Sequence, residues 1–146
     1  MCIRDRCRLT GKAVRPVMPP PAQAPGTVDD LLDLRRLENY QRLGMIDELI
    51  GDYLPEMARL VDRLDEAVAH ADLEAGLDAL HSLLGMSGEA GASALYQRVR
   101  SYYVPMIESR HWPAGADWPL HIRALAARTE DALRRYAQDA PRLTPP

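Results

Sequence analysis

Phenylalanine is absent and aromatic residues make up only 5% of the chain, although hydrophobic residues reach 47%. A core must therefore be built from Leu, Ala, Val, Ile and Met. That palette favours packed helices over a β-sandwich, where aromatic and β-branched residues dominate. Cysteine is confined to Cys2 and Cys7 at the extreme N-terminus. The body of the chain thus has neither a disulfide framework nor a Cys-rich metal site, which fits a reducing, cytoplasmic setting. No apolar run approaches the ~20 residues that cross a bilayer, and no secretory pattern opens the chain. The polypeptide is expected to be soluble and to make no membrane contact itself. Lysine occurs once, as Lys12, and no P-loop or dinucleotide fingerprint is present, so ATP is not expected to bind here. Any phosphate chemistry must use arginine, the backbone or a partner's cation.

What is present is one domain's worth of sequence. A chain of 146 residues suffices for one compact unit with tails and is too short for a two-domain enzyme. Charge is uneven along it: residues 27–146 hold 20 acidic and 13 basic side chains, a net −7. Such a surface repels nucleic acid. Residues 13–26 carry five prolines and no apolar period, so residues 1–26 read as a disordered, Pro-rich linker with nothing to bury. A linker implies a preceding part. Back-translated, Met1, Cys2, Ile3, Arg4 and Asp5 resemble a transposase adapter used in making sequencing libraries, and the expectation is that Met1 is not the biological start.

After the linker, Val28 to Glu38 reads as a short helix entered through Thr27 or Asp29 as N-cap. Ile46, Leu49, Ile50, Tyr53, Met57, Leu60, Val61, Leu64 and Val68 then recur at the three- and four-residue steps of one helical face, over roughly six turns. Pro55 falls inside this stripe and is expected to kink the helix without ending it, because the stripe continues in phase. Asp72 caps a second long segment running to about Ala90, and Leu95, Val99, Tyr102 and Met106 mark a third. A loop from Arg110 to Trp118 ends that helix, and Ile122, Leu125, Ala126, Thr129, Leu133 and Tyr136 define the last. No strand signal and no internal repeat is found. The expected fold is all-α: an antiparallel up-down four-helix bundle with an extra short N-terminal helix over residues 27–140, and a disordered tail at 141–146.

Residues 72–92 hold four of the nine glycines, Gly76, Gly85, Gly88 and Gly91, within a helical pattern. Each interior glycine costs a helix about 1 kcal/mol relative to alanine, so something must require small residues there. On a wheel at about 100° per residue, Leu73, Gly76, Leu77, Leu80, Leu83, Leu84 and Ser87 share a core arc. His81 falls at the edge of the opposite face, with Gly85 and Gly88 one and two turns along the same side. Glu74, Asp78, Ser82 and Glu89 complete that polar face. A lone helical histidine is ordinarily structural, and Gly91 suits a C-cap. Gly85 and Gly88 are too early to be caps. Removing side chains beside an imidazole lets another protein approach it.

His81, Leu83, Gly85, Ser87, Gly91 and Ala92 resemble the motif of histidine-containing phosphotransfer (HPt) domains. Leu49, Tyr53, Met57, Leu60 and Leu64 sit where such domains carry the long core helix, and the likeness extends over about residues 28–138. The resemblance implies that His81 accepts a phosphoryl group from a receiver aspartyl phosphate and passes it to another receiver's aspartate. It also implies a receiver-docking surface of Asp78, Ser82, Leu84, Gly85 and Gly88. No cofactor is expected in the domain, with Mg²⁺ and a lysine arriving on the receiver. The implied parent is a hybrid sensor histidine kinase that carries this module at its C-terminus and tethers it to the inner membrane. The chemistry fits: an imidazole titrating near ~6.5 is largely neutral at cytoplasmic pH and keeps a free lone pair. One departure stands out. Leu84 occupies the position, three residues after the histidine, where the family usually carries lysine, so Arg98 and Arg100 are the candidates to neutralise a phosphate.

The other candidates are weaker. His70 suits a helix C-terminus, and His111 and His121 lack the spacing of metal ligands, so no metal site is expected. Ser82 and Ser87 have no nucleophile elbow. Trp112 and Trp118 flank the Pro-Gly loop and are expected to close one end of the bundle. A monomer is the default for such a small core. The rival to a phosphocarrier is a helical receiver-binding module that has lost phosphotransfer, which Leu84 favours. A metal-dependent helical enzyme is the remote third reading.

Overall fold

The computed structural model describes residues 28–139. The linker at 1–26, Thr27 and the tail at 141–146 lie outside the described residues. Two short helices, α1 (Val28–Leu31) and α2 (Leu34–Arg42), precede four long ones: α3 (Ile46–Ala69), α4 (Leu73–Ala90), α5 (Ser93–Ser109) and α6 (Trp118–Asp139). No strand occurs among the described residues. Each long helix packs on the next in the chain, and α6 returns to α3, so the four close into an antiparallel ring. Short turns enforce this for α3, α4 and α5, because a helix followed by only two or three residues must fold back on its predecessor, while the longer 110–117 loop joins α5 to α6.

The single leading helix expected over Val28 to Glu38 is corrected to two. Leu32 and Asp33 interrupt it, and α2 runs on to Arg42. The cause is partly tertiary. Asp33 is extended (φ −87°, ψ 93°), its side chain accepts from the Arg36 N–H at 3.2 Å, and its own N–H donates to the Gly91 carbonyl at 2.7 Å. An N-cap of this kind satisfies a donor that the helix start leaves free. Tyr40 carries the link further by donating to the Glu89 carbonyl at 3.0 Å. α2 is thereby tied to the end of α4.

The turns between helices share one device. At Gly44, Ala71 and Gly91 the chain enters the left-handed region (φ 70°, 54° and 77°), and paired backbone bonds close the helix behind it, such as Asp72 N–H to Ala67 O at 2.8 Å and Ala92 N–H to Ser87 O at 2.9 Å. Two of these sites have the glycine that conformation prefers; Ala71 does not. Pro55 leaves α3 unbroken, as its stripe in phase requires, and Pro105 likewise sits inside α5. Both prolines are exposed, so the carbonyls they leave without a donor face water.

The core follows the aliphatic palette. Leu60, Leu64, Leu80, Leu83, Leu95 and Leu133 are fully buried together with Met57, Met106, Val99 and Ile122. Burying one such side chain contributes roughly 1.5–3 kcal/mol. Trp118 closes the end near the 110–117 loop, with the Trp112 ring 6.1 Å away between centroids.

Candidate functional site

α4 is held at both ends, which fixes the rotation of everything on it. Asp72 is the N-cap, its carboxylate accepting from the Ala75 N–H at 3.1 Å, and Gly91 terminates the helix. Between them Leu77, Leu80 and Leu83 are buried, and the buried arc is wider than the wheel gave, reaching Ala79 and Ala90. The reason is that α4 has two neighbours, α3 and α5, rather than one. Ser87 is fully buried and shares a hydrogen bond with the Tyr53 hydroxyl at 2.8 Å. Burial pushes the Tyr53 phenol up to about 12, with the Ser87 bond working the other way.

The opposite stripe of α4 is exposed: Glu74, Asp78, His81, Gly85 and Glu89 follow one another at three- and four-residue steps. Asp78 pairs with Arg63 of α3 at 3.2 Å, and Glu74 pairs with Arg110. His81 places its Nδ1 3.2 Å from the Tyr103 hydroxyl of α5, the two rings lying 5.8 Å apart and tilted by 40°. Nε2 has no hydrogen-bond partner among the described residues.

The glycines separate into different roles. A Cβ at Gly85 would meet nothing within 4 Å, whereas at Gly88 it would lie 3.2 Å from the Tyr96 ring and at Gly76 2.7 Å from Trp112. Gly76 makes room for a tryptophan and Gly88 for a tyrosine; only Gly85 of the three leaves open surface. Ser82 is half-buried. Leu84 is also half-buried, packed against the core, and borders a groove of about 460 Å³ shared with Gly85, Gly88, Tyr96 and Arg36.

The two candidate arginines lie apart. Tyr96 and Tyr103 both face α4, and Arg100 sits one turn from each, so it shares their side of α5. It makes no hydrogen bond or ion pair among the described residues. Arg98 lines a groove with His121 and Arg128 of α6 instead, on the far side of α5 from His81.

Residues 48–101 match the family model of the Hpt domain. Over those residues the chain is similar to an Hpt domain. The match runs from the first turn of α3 into α5 and contains His81, Leu84, Gly85 and Ser87. Hpt domains are helical bundles that serve phosphotransfer in phosphorelays and interact with receiver domains. No curated protein and no solved structure matches the chain. Two residues beside the Hpt motif escaped sequence reading. Tyr103 lies 22 residues beyond His81 on another helix, and its neighbour Tyr102 had the better claim to the core stripe. Arg36 reaches the groove from α2, whose boundaries the apolar period alone misplaces.

The remaining histidines have local partners. His70 caps α3 with Nδ1 2.9 Å from the Glu66 carbonyl, and His121 lies 3.5 Å from the Tyr102 hydroxyl. No group of three or more His, Cys, Asp or Glu side chains among the described residues could hold a metal ion. No helix among them is long and apolar enough to cross a membrane.

Proposed function

We propose that this domain is an Hpt phosphocarrier: His81 takes a phosphoryl group from the aspartyl phosphate of one receiver domain and gives it to the aspartate of another. The reading rests on the presentation of one ring, exposed on α4, with Nε2 unpartnered among the described residues and open surface at Gly85. In the step, the Nε2 lone pair forms the N–P bond while the P–O bond breaks and its electron pair returns to the receiver carboxylate. Such transfer depends on positioning and charge neutralisation. The receiver brings Mg²⁺ and a lysine; this domain contributes the imidazole and an approach surface of Asp78, Ser82, Leu84, Gly85 and Gly88. With Leu84 in place of lysine, Arg100 and Arg36 are the cations proposed to face the phosphate. A receiver on the same hybrid sensor histidine kinase is the proposed first donor.

Incubation with a phosphorylated receiver is expected to give an acid-labile, alkali-stable phosphoprotein, and the label is expected to vanish in His81→Gln. Leu84 supports a second reading, a receiver-binding module without phosphotransfer. That reading predicts receiver affinity with no label and an affinity unchanged by His81→Gln. Gly85→Trp tests docking itself. Its side chain projects into open space, so helicity stays intact while receiver binding falls by tenfold or more, on the order of a hot-spot loss. Unchanged binding in Gly85→Trp sinks the docking surface.

A further inference from the structure

Among the described residues, the contact between His81 and Tyr103 is the one tertiary hydrogen bond that reaches the imidazole. A neutral imidazole carries its single proton on either nitrogen, and the bond made by one nitrogen decides whether the other keeps a lone pair. We infer that Tyr103 is a positioning residue: its hydroxyl oxygen accepts from His81 Nδ1–H, which holds the proton on Nδ1 and leaves Nε2 as the nucleophile. The inference rests on the phosphocarrier reading given above.

The direction of the bond follows from charge. Were the phenol to donate to Nδ1, the ring proton would move to Nε2 and the outward lone pair would be lost. With Nδ1–H as donor, no proton need move in the step: Nε2 attacks phosphorus, the aspartate oxygen leaves with its electron pair, and the ring becomes cationic with Nδ1–H still in place. The hydrogen bond then strengthens, because its donor is charged. Tyr103 is half-buried on α5, so its own proton has water to bond. The tilted ring contact at 5.8 Å fixes the imidazole plane as well, and both residues stand on long helices of the closed ring, where their spacing is rigid.

The test is Tyr103→Phe, which keeps the ring and removes the oxygen. In ¹⁵N-labelled protein, two-bond ¹H–¹⁵N couplings of His81 are expected to show the Nδ1–H tautomer predominating in the parent and declining in Tyr103→Phe. Label uptake from a phosphorylated receiver is expected to slow about fivefold to tenfold, as for one lost hydrogen bond. Receiver affinity and helicity stay as in the parent. A Tyr103→Phe protein with the parent's tautomer populations, or with the parent's rate of uptake, overturns this role alone. A parent that takes no label, as His81→Gln takes none, overturns the acceptor reading and this role with it.

Discussion

Tyr53 and Ser87 are separated by 34 residues and share one buried hydrogen bond beneath the exposed stripe of α4. Burial raises the phenol to about 12, against about 10 for a free one. The folded state therefore holds that proton more tightly than the unfolded chain. The associated stability is fully present below pH ~10 and is lost as pH rises from there through ~12, an effect on the order of 3 kcal/mol. Tyr53→Phe is expected to abolish this alkaline loss. At pH 7 it costs about 1 kcal/mol, because the Ser87 hydroxyl loses its partner and falls back on a carbonyl of its own helix. Urea titrations at pH 7 and pH 11 measure both. The wheel placed Ser87 inside and His81 at the edge of the outer face, and both positions agree with the structure, because helical period alone decides them. Tyr53 as the partner, and Tyr103 beside His81, depend on which residues of other helices face α4, and no period carries that information.

The interior glycines of α4 make contrasting tests at the scale of the element. Gly85→Ala adds a Cβ with nothing within 4 Å, so it should stabilise the domain by about 1 kcal/mol through helix propensity and a less free unfolded chain. Gly76→Ala gains the same propensity but drives its Cβ into Trp112, so its net effect is destabilising. Thermal unfolding gives the sign in each case, and tryptophan fluorescence reports the displaced ring only for Gly76→Ala. Helix ends were legible wherever a cap is written locally, as with Asp72 and Gly91. The break at Leu32–Asp33 was not, because the Asp33 N–H that leaves the helix bonds to Gly91, 58 residues on. The role of Gly76 was hidden for the same reason: Trp112 comes from the loop after α5.

Across the whole molecule the family match ends within α5, so α1, α2 and α6 are what the structure adds to it. α6 is pinned to α3 by Arg123, whose guanidinium bonds Asp62 at 2.7 Å and also pairs with Asp65; these bonds raise its pKa further, Asp62 contributing first. Arg123 is about half exposed (47%), and exposed pairs contribute little. Arg123→Met is accordingly expected to lower stability by about 0.5–1 kcal/mol in dilute buffer and by much less in 1 M salt, where screening acts within about 3 Å. Denaturant midpoints at the two salt concentrations check this. The order of the ring has a kinetic consequence. Three of its four interfaces join helices consecutive in the chain, and chains rich in such local contacts fold in microseconds to milliseconds. The search that limits the rate is then the homecoming of α6, which must find α3 and α1 across the greatest length of polypeptide.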